Sequence, residues 1–239
     1  MKRKIRTWLR YWIPRIVGVF EPEGRKGKWF EEKYYTYLFT RNKYYSSPEP
    51  NEEEKQRWEH IEELVNEAQR ISEKHSFLKI IDFGCGRGWL SKELSRYGNV
   101  TGIEPVSKVV EYGRKIYPGL DLQQGSLQSL SHLKADLIVC SEVMEHLGRN
   151  GQPEYFTAFY HALEPGGFLI ITTPRREAFS EWSKYVDLDQ PTEEWLTEPE
   201  LRKFAEDAGF QVVKKIFYGR RPRPDAPVVE IYQQWLFRR

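Results

Sequence analysis

The sequence predicts an α/β fold, a doubly wound and mostly parallel seven-stranded sheet preceded by an N-terminal cap that is helical or irregular. Three observations lead to this fold class. Short apolar runs alternate with segments of helical periodicity, a glycine-rich turn follows the first apolar run, and the 239 residues are enough for one large α/β domain. In such a sheet, ligands bind at the carboxyl ends of the strands.

The first 20 residues carry six basic side chains, no acid and many aromatic and aliphatic side chains. Arg10, Pro14 and Arg15 interrupt the apolar residues, so we expect the stretch to be neither a membrane span nor a secretory signal. Two alternatives remain: a cap that packs its aromatics over a substrate cleft, or a segment that rests on an anionic membrane surface. We therefore expect residues 1–50 to form the cap or membrane contact and residues 51–239 to form the ligand-binding domain. The expected location is cytoplasmic, peripheral to the membrane if residues 1–20 contact it.

Residues 21–50 include Gly24, Gly27, Pro48 and Pro50 and are predicted to be irregular. A helix begins after Asn51, because Asn51 and Glu54 have the spacing of a capping box and apolar residues then recur at helical intervals. The later helices are predicted at residues 89–96, 106–117, 154–163 and 197–208. The predicted strands are residues 79–83, 100–104, 120–124, 135–140, 168–173, 211–217 and 228–237.

The overall charge indicates which partners to expect, and the cysteine content indicates the redox compartment. With 37 basic and 35 acidic side chains the net charge is +2, which does not suggest a broad phosphate-binding surface, so no nucleic-acid partner is expected. Cys85 and Cys140 lie inside apolar runs without the spacing of a disulfide framework. They are predicted to be buried thiols of a reducing compartment.

The glycine-rich turn after the first strand is the most informative segment. Gly84, Gly86 and Gly88 follow a G-x-G-x-G spacing, which differs from the G-x-G-x-x-G of dinucleotide sites. Asp82 precedes them and would repel a pyrophosphate, but it suits a cationic ligand. Glu104 ends the next strand, 22 residues beyond Asp82, where a carboxylate can accept both hydroxyl hydrogens of a ribose.

Four segments together resemble the class I S-adenosylmethionine-dependent methyltransferase superfamily over roughly residues 55–217. They are residues 82–88, 100–105, 135–140 and 163–167. The resemblance implies an enzyme that binds S-adenosyl-L-methionine, with Glu104 holding the ribose and Ser126 or Leu127 at the adenine, where the superfamily often has an aspartate. The residues implied at the cofactor are Asp82, Gly84, Cys85, Gly86, Gly88, Glu104, Ser126, Leu127 and Cys140.

Glu142, Glu145 and His146 follow the fourth strand in the pattern E-x-x-E-H and are the candidate catalytic residues. In one helical turn they would share a face, where they could bind a divalent metal such as Mg²⁺. Alternatively, His146 acts alone as a general base, or the turn only packs beside the cofactor. The pattern is similar to that of ubiquinone-biosynthesis O-methyltransferases and of small-RNA 3′-terminal 2′-O-methyltransferases. The RNA enzymes add a downstream metal-binding histidine that this chain lacks, although Asp187 or Asp189 could supply a ligand.

These observations predict methyl transfer to the hydroxyl oxygen of a small-molecule, lipid-linked or glycan-linked acceptor. The alternatives are an RNA 2′-O-methyltransferase, a nucleotide-dependent oxidoreductase and a non-catalytic nucleotide-binding protein of the same fold. The acceptor is expected to meet residues 1–50, the stretch 175–195 and the loop 219–227, which are rich in aromatic and arginine side chains. Those expected over the strand ends are Arg175, Arg176, Trp182, Tyr185 and Trp195. Arg220, Arg221 and Arg223 belong either to this region or to a solvated face.

Overall fold

The computed structural model describes residues 23–72, 77, 79–186 and 190–239, with side chains from residue 31 onward. Within these residues seven strands form one sheet in the order β3-β2-β1-β4-β5-β7-β6. The strands are β1 (Lys79–Phe83), β2 (Asn99–Glu104), β3 (Asp121–Gln124), β4 (Ala135–Ser141), β5 (Leu163–Pro174), β6 (Gln211–Arg220) and β7 (Val229–Arg238). β7 runs antiparallel to both of its neighbours, β5 and β6, and the other six of these strands run parallel to one another. The predicted doubly wound, mostly parallel sheet is therefore confirmed.

Helices cover both faces of this sheet. They are α1 (Glu23–Arg41), α2 (Glu52–Ser72), α3 (Trp89–Leu94), α4 (Ser107–Ile116), α5 (Gln152–Ala162), α6 (Phe179–Trp182) and α7 (Glu198–Asp207). Successive residues of a strand point to opposite faces, so Ile81 and Phe83 enter the core on the side of α5 and α7. Ile80 enters the core on the side of α2 and α3. Burial on both faces explains why the central strands read as continuous apolar runs.

The local signals that predicted the start of two helices are confirmed. The Asn51 side chain accepts the Glu54 N–H at 2.9 Å, and the Glu54 carboxylate accepts the Asn51 N–H at 2.9 Å. Thr197 and Glu200 form the same reciprocal arrangement at the start of α7. These caps fix where the chain enters α2 and α7, and both helices lie beside the carboxyl edge of the sheet.

The prediction that residues 21–50 are irregular is wrong for most of this stretch, because α1 occupies residues 23–41. Gly24 and Gly27 fall in its first two turns, and residues 28–41 contain neither glycine nor proline. The prediction gave those two glycines too much weight, since packing against the rest of the protein outweighs their low helix propensity. Residues 1–22 lie outside the described residues, and the division at residue 50 stays a prediction. None of the described helices has the length and apolar character needed to cross a membrane.

Hydrogen-bond donors from other parts of the chain hold the segment that follows α1. Arg87 Nε donates to the Ser47 carbonyl at 2.6 Å, and the Tyr112 hydroxyl donates to the Ser46 carbonyl at 2.7 Å. The Tyr117 hydroxyl donates to the Pro48 carbonyl. These bonds place the end of the predicted cap directly beside the glycine-rich turn.

Candidate active site

The glycine loop, residues 84–88 between β1 and α3, forms the floor of the site. Gly84 and Gly86 have φ angles of 77° and 53°, in the left-handed region that glycine adopts without strain. A Cβ on Gly84 would lie 2.2 Å from Val143 Cγ2, so any side chain there would clash. The N–H groups of Gly84 and Cys85 donate to the Ile103 carbonyl at 2.8 and 3.1 Å. The loop is therefore fixed with bare backbone towards the carboxyl edge of the sheet.

Glu104 ends β2 beside this loop and is oriented by backbone donors. Its Oε2 accepts the Gly86 N–H at 3.2 Å, and its Oε1 accepts the Val106 N–H at 3.0 Å. Each carboxylate oxygen keeps a second lone pair for a ligand hydroxyl. Burial raises the pKa of Glu104 to about 7, so a ligand that donates two hydroxyls would favour the ionised form.

Asp82 braces the glycine loop from below. Its Oδ2 accepts the Ser91 hydroxyl of α3 at 2.6 Å, and burial raises the pKa of Asp82 to about 7. Gly88, with a φ of 91°, forms the N-cap of the same helix. The structure thus assigns Asp82 and Gly88 a visible role in holding the loop against α3. Contact of Asp82 with a ligand stays a prediction.

The remaining predicted cofactor residues differ in their burial and in the groups that they pack against. The Cys85 thiol packs beneath the loop with Val110 and Leu122, and the Cys140 thiol is buried in the core of the sheet. Both are free thiols, and burial raises the pKa of each. Ser126 is exposed after β3, whereas Leu127 packs partly against the core.

His146 has a defined tautomer. Its Nδ1 lies 3.0 Å from the Thr192 carbonyl, which can only accept a hydrogen bond, so Nδ1 carries the proton. Burial lowers the pKa of His146, which keeps the ring neutral. Nε2 therefore carries no proton and has a lone pair available. The Glu145 Oε1 atom lies 3.8 Å from Nε2. A neutral imidazole with this tautomer can take a proton.

Glu142 does not share a helical turn with His146, so that prediction is wrong. Glu142 has a positive φ of 55°, and the short 3₁₀ helix begins only at Met144. Its N–H donates to the Thr172 carbonyl at 2.9 Å, which continues the pairing of β4 with β5 and prevents a helix from starting there. A non-glycine residue in this conformation is strained and marks a constrained position.

The side chains of the E-x-x-E-H segment have separate partners. Glu142 accepts the Thr172 hydroxyl at 3.0 Å and pairs with Arg57 at 3.4 Å. Glu145 accepts the Thr173 hydroxyl at 3.1 Å, and burial and then the nearby Glu142 raise the pKa of Glu145 well above its usual range. In the part of the chain that the structure describes, no group of three His, Cys, Asp or Glu side chains could hold a metal ion. The residues do not fit the predicted Mg²⁺ site, and Asp187 and Asp189 lie outside the described residues.

A charged cluster borders the same edge of the sheet and was missed from the sequence. It comprises Glu53, Arg57, Glu142, Arg220 and Tyr232. Glu53 accepts hydrogen bonds from Arg57 at 3.2 Å and from the Tyr232 hydroxyl at 2.8 Å, and it pairs with Arg220 at 2.5 Å. Arg57 Nε is buried and has no hydrogen-bond partner among the described residues. Only the i,i+4 spacing of Glu53 and Arg57 is visible in the sequence, and that spacing is equally typical of an exposed ion pair.

The predicted aromatic and arginine residues of the strand ends mostly pack with one another. Trp182 and Trp195 belong to a small apolar cluster with Tyr218 and Tyr232 at the ends of β6 and β7. The Arg175 guanidinium lies 4.2 Å from the centre of the Phe217 ring. Arg221 donates to the Ala226 carbonyl at 2.6 Å, and Arg223 pairs with Asp225 at 3.1 Å, both within their own loop.

An open pocket of about 540 Å³ lies beside His146. Its lining residues include Glu31, His146, Arg149, Tyr155, Thr192 and Glu194. Tyr155 also contacts Phe83 at the end of β1, with ring centres 5.9 Å apart. Tyr155 therefore links the lining of the pocket to the last residue of the strand that precedes the glycine loop.

Comparison with known proteins places this site in a family. A family model described as a methyltransferase domain matches residues 52–215, more than half of the chain. The chain belongs to the methyltransferase-domain family. The glycine loop, Glu104 and His146 all fall within the matched methyltransferase domain.

Relatives of the methyltransferase domain share its sequence over part of their length. A probable S-adenosylmethionine-dependent methyltransferase of Mycolicibacterium smegmatis is 29% identical over 63% of this chain and 60% of its own. The mitochondrial ubiquinone biosynthesis O-methyltransferase of Rattus norvegicus is 36% identical over 44% of this chain and 33% of its own. The chain thus spans less than two thirds of these curated relatives.

A solved structure shares the fold over nearly its whole length. The N-methyltransferase NodS of Bradyrhizobium japonicum, in complex with S-adenosyl-L-homocysteine, matches with a TM-score of 0.66 and 16% identity. The match covers 87% of this chain and 98% of that one. The strand order of the methyltransferase domain is therefore that of the class I S-adenosylmethionine-dependent methyltransferases.

Proposed function

We propose that this chain transfers the methyl group of S-adenosylmethionine to the hydroxyl oxygen of a small-molecule, lipid-linked or glycan-linked acceptor. The observation that carries the proposal is the tautomer of His146, which leaves Nε2 able to accept a proton in a residue that lines an open pocket. Transfer to a hydroxyl needs a base, because the attacking oxygen must lose its proton. Transfer from an existing lone pair, as in a neutral amine, has less need of one.

The glycine loop and Glu104 fit the methyl donor. The left-handed backbone at Gly84 and Gly86 shapes the loop beside Glu104, and Glu104 offers two lone pairs to the ribose hydroxyls. Ser126 and Leu127, after β3, would border the adenine. When bound, the sulfonium of the donor supplies an electrophilic methyl group. Much of the acceleration then comes from the positioning of the two reactants.

His146 accepts the acceptor's hydroxyl proton on Nε2. The positive charge that results is stabilised at the opposite nitrogen, where Nδ1–H donates to the Thr192 carbonyl. The same hydrogen bond holds the ring in one orientation. Burial lowers the pKa of His146 and so favours the neutral ring before the acceptor binds.

The acceptor occupies the pocket beside His146, whose polar lining residues include Arg149, Thr192 and Glu194. The name of the rat relative, a ubiquinone biosynthesis O-methyltransferase, supports an oxygen as the attacking atom. A contact of residues 1–20 with a membrane-linked acceptor stays a prediction that lies outside the described residues.

An amine acceptor is the second candidate. Two carboxylates, Glu31 and Glu194, line the pocket and would attract a protonated amine before it reacts. The structural neighbour NodS is named an N-methyltransferase, which supports the same candidate. The attacking atom therefore has to be identified in the product.

The test is to trace a labelled methyl group. The full chain is incubated with S-adenosyl-[methyl-³H]methionine and, separately, with polar metabolites, lipid extract, glycans and RNA, and labelled products are analysed by mass spectrometry. We expect a methyl ether in the metabolite, lipid or glycan fraction, with Glu104→Ala as the inactive control. Label found only in methylamines would support the second candidate, and label found only in RNA would contradict both.

A further inference from the structure

Two stacked rings of α1 lie across the site and are called here the aromatic roof, Tyr35 and Phe39. The Phe39 ring lies over Gly86, with ring atoms 3.1 to 3.4 Å from where a Cβ would stand. The Tyr35 and Phe39 ring centres are 6.3 Å apart and their planes differ by 16°. The Tyr35 ring is 5.7 Å from the His146 ring. The aromatic roof therefore spans from the glycine loop to the proposed base.

The position of the aromatic roof matters because the reacting methyl group has to lie in that span. The cofactor rests on the glycine loop, and the proton of the acceptor is taken at His146. The sulfonium carrying the methyl group must therefore lie between Gly86 and His146, where the two rings form the border. An aromatic face attracts a cation through its quadrupole, and the attraction grows when water is excluded.

Four carboxylates near this span are directed to other partners. Glu104 is directed to Gly86 and Val106, Asp82 to Ser91, and Glu145 to Thr173. Glu142 is paired with Arg57. The rings of the aromatic roof border this span and supply electron-rich groups there.

We infer that the aromatic roof recognises the cationic sulfonium and so distinguishes S-adenosylmethionine from the neutral thioether product, S-adenosylhomocysteine. The inference rests on the proposed methyl donor. It gives the helix of the predicted cap a specific binding role. It also provides a reason for the product to leave, because the charge that the rings attract is lost with the methyl group.

The test compares the two ligands in the same variant. Dissociation constants for S-adenosylmethionine and S-adenosylhomocysteine are measured by calorimetry with the full chain, with Phe39→Leu and with Tyr35→Leu. Leucine keeps apolar volume but has no aromatic face. We expect Phe39→Leu to weaken S-adenosylmethionine by about 3- to 30-fold more than S-adenosylhomocysteine. The control is Tyr37→Leu on the exposed side of α1, which should change neither constant.

Loss of packing cannot imitate this result, because damage to the fold or to the shape of the site weakens both ligands together. Phe39→Tyr, which restores an aromatic face, should restore the wild-type ratio of the two constants. Equal weakening of both ligands by Phe39→Leu and Tyr35→Leu would overturn the inference and leave the proposed function intact. If the wild-type chain bound neither ligand, the proposed function itself would fail.

Discussion

Replacement of His146 by alanine is expected to lower kcat by about 10²- to 10⁴-fold, the usual contribution of a positioned general base. The affinity for S-adenosylhomocysteine should stay nearly unchanged, because His146 is on the acceptor side and not on the glycine loop. The measurement is steady-state methyl transfer with the acceptor identified by labelling, together with calorimetry for the cofactor product. Wild-type kcat should persist as the pH falls through 6.5, since burial lowers the pKa of His146 and keeps Nε2 unprotonated.

Two further variants separate chemistry from structure in this experiment. His146→Gln keeps a donor for the Thr192 carbonyl but has no basic nitrogen, so it should be nearly as slow as alanine. His161→Ala removes an exposed histidine of α5 and should leave kcat unchanged. A His146→Ala chain with normal kcat would reduce His146 to a packing residue and remove the main support for a hydroxyl acceptor.

Replacement of Arg87 by methionine is expected to lower the free energy of unfolding by about 3–5 kcal/mol, the typical result of removing one partner from a buried ion pair. Arg87 is fully buried, and its two terminal nitrogens donate to the Glu54 carboxylate at 2.6 and 2.8 Å. Its Nε also holds the Ser47 carbonyl. Urea unfolding followed by circular dichroism would measure the loss.

The control for this prediction is an ion pair of similar length but exposed. Arg202 and Glu206 pair at 2.8 Å on the surface of α7, so Arg202→Met should cost no more than about 0.5 kcal/mol. Adding Glu54→Gln to Arg87→Met should recover part of the loss, because no uncompensated buried charge remains. A loss below about 1 kcal/mol in the single variant would show that Arg87 does not brace the glycine loop.

Local sequence signals predicted much of the fold. The Asn51 capping box, the glycine loop and the apolar strands depend on residues close together in the chain, and each is found where it was predicted. Glu104 was also predicted from local order, since it ends the strand after the glycine loop. Parallel pairing of β1 with β2 brings it to Gly86 at 3.2 Å.

Features that depend on tertiary packing could not be predicted. The charged cluster joins Glu53 of α2 to Tyr232 of β7, which are distant in the sequence. Glu142 was assigned to a helical turn because the i,i+4 spacing suggested it, but the hydrogen bond to Thr172 decides its backbone conformation. Likewise, α1 forms although its early glycines disfavour a helix, and its rings reach Gly86 and His146.

The central claim is that S-adenosylmethionine binds along the glycine loop with its ribose held by Glu104. Its most direct test is calorimetry of S-adenosylhomocysteine with the wild-type chain and with Glu104→Ala at pH 6 and pH 8. Because the pKa of Glu104 is about 7, the carboxylate is mostly protonated at pH 6 and mostly ionised at pH 8, so wild-type affinity should rise about tenfold across this interval. Glu104→Ala should bind more than about tenfold more weakly at pH 8, with a smaller pH dependence, and circular dichroism should show that the variant is still folded. Equal affinities of the two chains at pH 8 would contradict the claim.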